Sequence, residues 1–127
     1  MLKPTSSRLQ LLWGLLVAAI VLGALLPYLG VHANILSVYF NAHWLHFLVY
    51  TAVSFLPLFA WRRNAGLALS IGMAVPATGL EIARAVVEAR SPNIEHIVIN
   101  TLGIAAGILL GLNVLTLRSR MNHQADT

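Results

Sequence analysis

Four polar residues, His46, Glu81, Arg84 and Asn100, interrupt stretches of sequence that are otherwise strongly apolar. An imidazole and a carboxylate together can move a proton, and a guanidinium and a carboxamide can bind an anion or a polar head group. Ionisable residues inside a membrane-spanning helix cost free energy and are therefore candidates for function. Their chemistry depends on whether the chain brings them together.

The composition indicates an integral membrane protein. Of the 127 residues, 58% are hydrophobic and 9% are charged, and the mean hydropathy is +0.79. A soluble domain needs more polar surface than this. The chain has no cysteine, which excludes disulfides, thiolate nucleophiles and cysteine-based metal sites. The formal charge of +4 comes from scattered basic residues, so we expect no nucleic-acid partner.

Four apolar runs predict four transmembrane helices, over 9–29, 43–61, 65–87 and 94–117. Each is long enough for a bilayer, which takes about 20 residues. Pro76 and Gly79 are expected to kink the third helix. We predict an all-α fold, a single integral membrane four-helix bundle over 1–120, followed by a polar and disordered tail over 121–127.

The first run has an alternative interpretation as a secretory signal peptide. Lys3 and Arg8 precede it, and Val31-His32-Ala33 loosely resembles a cleavage site. The run is longer than the apolar region of a typical signal peptide. We therefore expect a retained helix.

Basic residues in the short flanks predict that both termini are cytoplasmic. Alternating helices place three basic pairs on one side: Lys3 with Arg8, Arg62 with Arg63, and Arg118 with Arg120. The loop over 31–42 contains no lysine or arginine. Only Arg84 and Arg90 fall on the opposite side, and both have acidic neighbours in sequence.

This topology makes three polar helix faces converge at the outer end of the bundle. Residues three or four apart share a helix face. The faces comprise His43, His46 and Tyr50 on the second helix, Glu81, Arg84 and Glu88 on the third, and His96 and Asn100 on the fourth. Gly103, Gly107 and Gly111 continue the last face and let another helix approach closely, within the monomer or in a homodimer.

Glu81 is expected to be paired or protonated. Its partner would be Arg84 one turn away or a histidine across the bundle, and desolvation would otherwise favour the neutral acid. His46, with Tyr50 one turn below, is a candidate general base, so His46 and Glu81 are the candidate catalytic residues. A metal site at His43, His46 and His96 is a weak alternative, because the spacing matches no metalloprotease signature, and we expect no cofactor.

Two segments of the chain contain the polar residues in a recognisable order. The first reads Asn41-Ala-His-Trp-Leu-His46-Phe47-Leu-Val-Tyr50. The second contains Leu80-Glu81-Ile-Ala-Arg84, and then Arg90-Ser-Pro-Asn-Ile-Glu95-His96-Ile-Val-Ile-Asn100-Thr-Leu-Gly103 with Gly107 beyond. Together the two segments resemble the VanZ-like family, small bacterial membrane proteins named for a teicoplanin-resistance component. The positions that match the family pattern are His46, Phe47, Tyr50, Glu81, Arg90, Asn100, Gly103 and Gly107.

Four positions depart from the family pattern. Ala42 and His43 stand where the family usually has Asp-Lys, Arg84 stands where Gln is common, and His96 replaces the usual Asp. The last two changes make the polar cluster more basic. A basic cluster at an outer membrane surface favours an anionic partner such as a phosphate or a carboxylate.

The resemblance implies a multi-pass protein of the bacterial inner membrane, in a family associated with glycopeptide and envelope-stress tolerance. We expect an outward-facing site that recognises a membrane lipid, a lipid-linked envelope precursor or another anionic envelope component. The expected binding residues are His43, Tyr50, Arg84, Arg90, Glu95, His96 and Asn100.

Two other functions stay open. One is an intramembrane hydrolase or transferase on an envelope lipid, with His46 as base and Glu81 orienting it or supplying a proton. The other is a small proton-coupled transporter in which these two residues relay protons. The stripe from Gly103 to Gly111 offers no polar continuation, which argues against a path across the membrane.

The topology predicts how two single cysteines react. In intact cells an impermeant thiol reagent should label Val31→Cys, in the outer loop, and spare Asn64→Cys, which follows a cytoplasmic arginine pair. Gel-shift detection of the label measures both, and the chain has no native cysteine to interfere. Labelling of position 64 but not of position 31 would overturn the orientation.

Overall fold

The computed structural model describes residues 6–25, which form one helix, and residues 42–125, which form five helices joined by short turns. The helices are α1 Ser7–Leu25, α2 His43–Phe55, α3 Pro57–Ala60, α4 Arg63–Gly72, α5 Ala74–Val87 and α6 Ile94–Ala125. These ranges contain no strand, which confirms the all-α prediction for them. The last predicted residues of the first helix, 26–29, and the loop residues 31–41, including Val31, lie outside the described residues.

Four helical stretches are long and apolar enough to cross a membrane. They are Ser7–Leu25, His43–Ala60, Arg63–Val87 and Ile94–Ala125. The second stretch comprises α2 and α3, and the third comprises α4 and α5. Their number and order in the described ranges agree with the sequence prediction.

Prolines account for the divisions within the second and third stretches. Pro57 is the first residue of α3, a position where its missing N–H costs little, and the turn at Leu56 precedes it. Pro76 cannot donate to the carbonyl of Gly72, and the helix is interrupted between them at Met73. The helix is thus interrupted one turn before Pro76, whereas Gly79 lies inside the regular helix α5.

The fourth helix is longer than predicted. We expected a disordered tail from residue 121, but α6 continues through Ala125. Between Gly111 and Ala125 the sequence has neither glycine nor proline, and it includes leucine, arginine, methionine and alanine, which favour a helix. Arg118 and Arg120 mark the end of the apolar run, but the helix continues beyond them to Ala125.

Apolar side chains cover the outside of the bundle while several polar side chains are buried. Large exposed apolar residues include Leu11, Leu15, Val75, Val86 and Leu109. The buried polar residues are Ser54, Ser70, Glu81 and Asn100. A soluble domain shows the reverse distribution, and this one suits a bundle surrounded by lipid.

The glycine stripe brings α2 and α6 into close contact, the most extensive between any two described helices. A Cβ added to Gly103 would lie 2.6 Å from the carbonyl oxygen of Phe47, and one added to Gly107 would collide with that of Thr51. Gly111 lies against the side chain of Leu58. The stripe is therefore occupied by α2 and α3 of the same chain and is not open to a second copy.

Adding one methyl group at this contact should destabilise the protein. Gly107→Ala forces the new Cβ against the backbone carbonyl of Thr51, and overpacking of this kind costs about 1–3 kcal/mol. Thermal unfolding of the purified protein in a non-ionic detergent, followed by circular dichroism, measures the loss.

Gly79→Ala is the matched control, because a Cβ there meets nothing within 4 Å. Since alanine favours a helix over glycine by about 0.5–1 kcal/mol, this variant should be unchanged or slightly more stable. Equal unfolding temperatures for the two variants would contradict the packing described for α2 and α6.

Candidate functional site

The buried carboxylate of Glu81 on α5 has three polar neighbours. Its Oε1 accepts hydrogen bonds from Nη1 of Arg90 at 3.0 Å and from the backbone N–H of Asn93 at 2.9 Å. Its Oε2 lies 3.7 Å from Nδ1 of His96. A buried carboxylate needs such donors to offset the loss of water.

The arginine that binds Glu81 is therefore not the one expected from helical spacing. Arg84, one turn away, acts on this carboxylate electrostatically, but the hydrogen bond comes from Arg90 in the following turn. The other expected partner, a histidine from across the bundle, is present as His96.

The turn after α5 explains how Arg90 reaches back to Glu81. The helix ends in a Schellman motif, in which the N–H of Arg90 donates to the carbonyl of Ala85 at 2.9 Å and that of Ala89 to Val86 at 3.2 Å. Ala89 has a left-handed φ of 50°, a conformation that glycine usually occupies. The strained residue thus sits directly beside the site.

Arg90 is held in place by two carboxylates. Its Nε donates to Glu88, and its Nη1 donates to Glu81 and to the carbonyl of Ser91. The hydrogen bonds that Arg90 donates to Glu88 and Glu81 raise the pKa of Arg90 above its ordinary value, so the guanidinium stays charged. Arg90 therefore stabilises the turn, and most of its N–H groups are hydrogen-bonded to residues of the same chain.

Asn93 caps the first turn of α6 and fixes His96 next to Glu81. Its Oδ1 accepts the backbone N–H of His96 at 3.3 Å, while its own N–H donates to Glu81. Sequence reasoning missed Asn93, although an asparagine directly before an apolar run is a signal for a helix start. It also missed Ala89, because alanine gives no signal for a left-handed turn.

Three imidazoles form a cluster, here called the histidine cluster, from His43, His46 and His96. The ring of His96 stacks on that of His46 with centroids 5.0 Å apart, and the ring of His43 meets it edge-on at 5.1 Å. At the outer side, Nδ1 of His43 lies 3.2 Å from Oε1 of Glu95. Side-chain exposure falls along this series, from 64% for Glu95 to 42% for His43, 11% for His96 and 5% for Glu81.

The histidine cluster is not arranged as a metal centre. In residues 6–25 and 42–125 no group of three histidine, aspartate or glutamate side chains is placed to hold a metal ion. Stacked imidazoles present ring faces to each other, whereas metals bind a ring nitrogen in the plane of the ring.

Asn100 and Tyr50 lie one level deeper in the bundle, and both are buried. Nδ2 of Asn100 donates to the carbonyl of Ala77 at 3.5 Å, and its Oδ1 has no hydrogen-bond partner among the described residues. The Cβ of Tyr50 lies against Gly103. These two predicted binding residues are thus below the histidine cluster rather than within it.

Polar groups also continue further than expected along the bundle. Ser54 on α2 and Ser70 on α4 are fully buried, and Oγ of Ser70 donates to the carbonyl of Ser54 at 2.6 Å. Sequence reasoning missed both serines, because it followed only the face of the fourth helix. The glycine stripe itself carries no polar side chain, but Ser54 and Ser70 on neighbouring helices do.

Arg84 differs from Arg90 in having a donor that the chain does not use. Its side chain is partly buried, and its Nε is buried without a hydrogen-bond partner in the described part of the chain. Buried donors are nearly always paired in proteins, so an unpaired one calls for an acceptor.

The structure brings most of the predicted site residues into one continuous set of contacts. They are His43, His46, Glu81, Arg90, Glu95 and His96. Arg84 adjoins this set on α5, and His96 lies between His46 and Glu81. His96 rather than His46 is therefore the imidazole whose ring nitrogen faces the carboxylate.

Comparison of the chain with known protein families, with curated proteins and with solved structures finds no match. The resemblance to the VanZ-like family stays a prediction. The function must therefore be inferred from the site itself.

The strained turn beside the site can be tested by one substitution. Ala89→Gly should stabilise the protein by about 1 kcal/mol, because glycine adopts a left-handed φ without the steric cost of a Cβ. The measurement is again thermal unfolding in detergent.

Ala83→Gly provides the control, since Ala83 is an exposed residue inside the regular helix α5. There the same change should cost about 0.5–1 kcal/mol. A loss of stability in both variants would contradict a left-handed φ at Ala89.

Proposed function

We propose that this chain is a multi-pass protein of the bacterial inner membrane, related to the VanZ-like family, whose outer polar site binds the head group of an anionic envelope lipid. The single observation that carries the proposal is the buried and unpaired Nε of Arg84. A phosphate supplies acceptor oxygens of the charge and geometry that a guanidinium binds best.

The distribution of arginines supports the proposed orientation. The backbone N–H of Ser6 donates to Ala60 at 3.3 Å, so α1 begins where α3 ends, and Gly111 of α6 lies against Leu58 in the same region. This end of the bundle carries the exposed arginines, namely Arg8, Arg62, Arg63, Arg118 and Arg120. Such enrichment is typical of the cytoplasmic side, and the site lies at the other end.

The two remaining arginines have separate roles in this proposal. Arg90 is engaged by Glu81 and Glu88 and orders the turn between α5 and α6. Arg84 keeps a free buried donor on the same helix face as Glu81. The lipid head group would complete the hydrogen bonding of Arg84 without competing for Arg90.

A second candidate function is an intramembrane hydrolase or transferase acting on such a lipid. The contact between His96 and Glu81 favours it, since a carboxylate that orients an imidazole is a common general-base arrangement. Nδ1 of His96 faces Glu81, which leaves Nε2 as the nitrogen available to a substrate. In this mechanism His96 would be the base, and His46 would stack on it.

Replacing Arg84 should release the lipid. In native mass spectrometry of protein extracted in a mild detergent, Arg84→Gln should retain about tenfold less anionic phospholipid than the wild type. A hydrogen bond to a charged group contributes about 1.5–3 kcal/mol, and 1.4 kcal/mol corresponds to a factor of ten.

Arg118→Gln serves as the control, because Arg118 is an exposed arginine at the opposite end of the bundle. It removes the same charge and should leave retention unchanged. Equal retention by Arg84→Gln and the wild type would refute the proposal. A variant His96→Asn that keeps the lipid but abolishes a measured turnover of it would establish the second candidate.

A further inference from the structure

The charge of the site poses a problem for an anionic ligand. Its arginines, Arg84 and Arg90, are outnumbered by its glutamates, Glu81, Glu88 and Glu95. Two positive and three negative charges leave the site with a formal charge of −1 while its histidines are neutral. An anion would then meet a repulsive field.

The histidine cluster is the part of the site that can change this charge. With one imidazole protonated the site becomes neutral, and with two it becomes positive. The rings of His43 and His46 both lie about 5 Å from that of His96, so a charge on one ring disfavours a charge on the next. Glu95 at one end and Glu81 at the other stabilise the first proton.

We infer that binding of the anionic head group is coupled to the uptake of a proton by the histidine cluster. The inference rests on the proposed function and adds its control by pH. A negative phosphate beside the cluster favours the imidazolium form, and by reciprocity the imidazolium form favours the phosphate.

The groups that face the cluster come from every element around it. Glu81 and Arg84 of α5 lie beneath and beside it, Arg90 and Glu88 of the following turn lie behind Glu81, and Glu95 of α6 lies at its outer edge. Tyr50 of α2 lies below. Arg90 is neutralised by its two carboxylates, which leaves Arg84 and the imidazoles to meet the ligand.

The graded burial of the series gives the proton a route. Glu95 is exposed and His43 beside it is half-buried, while the ring of His96 lies against His43 and nearer to the buried Glu81. The proton can therefore enter and leave from the outer surface, on the same side as the ligand. No path across the bundle is required.

Isothermal titration calorimetry with a soluble lipid tests the coupling directly. The probe is dihexanoyl phosphatidylglycerol, whose phosphodiester keeps one negative charge between pH 6 and pH 8, and the protein is the full chain in dodecyl maltoside. The dissociation constant should rise about tenfold or more from pH 6 to pH 8, because a ligand that binds together with a proton binds more weakly where protons are scarcer. The binding enthalpy should also depend on the ionisation enthalpy of the buffer, showing uptake of up to one proton per lipid.

Two variants test whether the histidine cluster is the group that takes up the proton. His96→Gln should flatten the pH dependence, since it removes the central ring of the cluster, whereas His123→Gln, on the exposed far end of α6, should leave it intact. If His96→Gln fails to fold, the buffer comparison on the wild type decides. An affinity that is equal at both pH values, with a buffer-independent enthalpy, overturns the coupling but not the proposed function. Absence of binding at both pH values overturns both.

Discussion

The burial of one carboxylate determines the structure at the end of the bundle where α5 is followed by α6. Glu81 is placed among helices where water cannot solvate it, so the chain must supply its hydrogen bonds. The left-handed Ala89 returns Arg90 to it, and Asn93 offers its backbone N–H while capping α6. The same cap orders the helix turn that carries His96. The turn after α5, the start of α6 and the contact with His96 thus all place polar groups around the carboxylate of Glu81.

Much of the fold and part of the site follow from the sequence. Apolar run lengths predict the four long helices, and alternating helix direction predicts that His46, Glu81 and His96 meet, because these are consequences of period and topology. Helical spacing favoured Arg84 as the partner of Glu81 and could not reveal Arg90, since that pairing depends on the backbone of Ala89. Ser54 and Ser70 were missed because their burial depends on how α2 meets α4. The Arg90–Glu81 pair and the buried serines depend on tertiary structure, which residue spacing along a single helix does not predict.

Under the proposed relation to the VanZ-like family, the residues that carry the proposals are two of the positions at which this chain departs from the family pattern. Arg84 stands where the family commonly has glutamine, and it is the arginine with a buried unpaired donor. His96 stands where the family has aspartate, and it is the centre of the histidine cluster. Replacing aspartate by His96 removes a negative charge and introduces an imidazole, which can become positive. A ligand preference of this chain need not therefore be shared by chains that keep the usual residues.

The length of α6 has a mechanical consequence. A helix of 32 residues is about 48 Å long at about 1.5 Å per residue, whereas the hydrocarbon core of a bilayer is about 30 Å thick. The helix is therefore longer than a membrane span requires, and its final turns, which are exposed, carry Arg118 and Arg120. No glycine or proline interrupts α6 between Gly111 and Ala125, so these turns continue the helix without a hinge. A change in the tilt of α6 at Ile94 would therefore be transmitted to Ala125, at the opposite end of the helix.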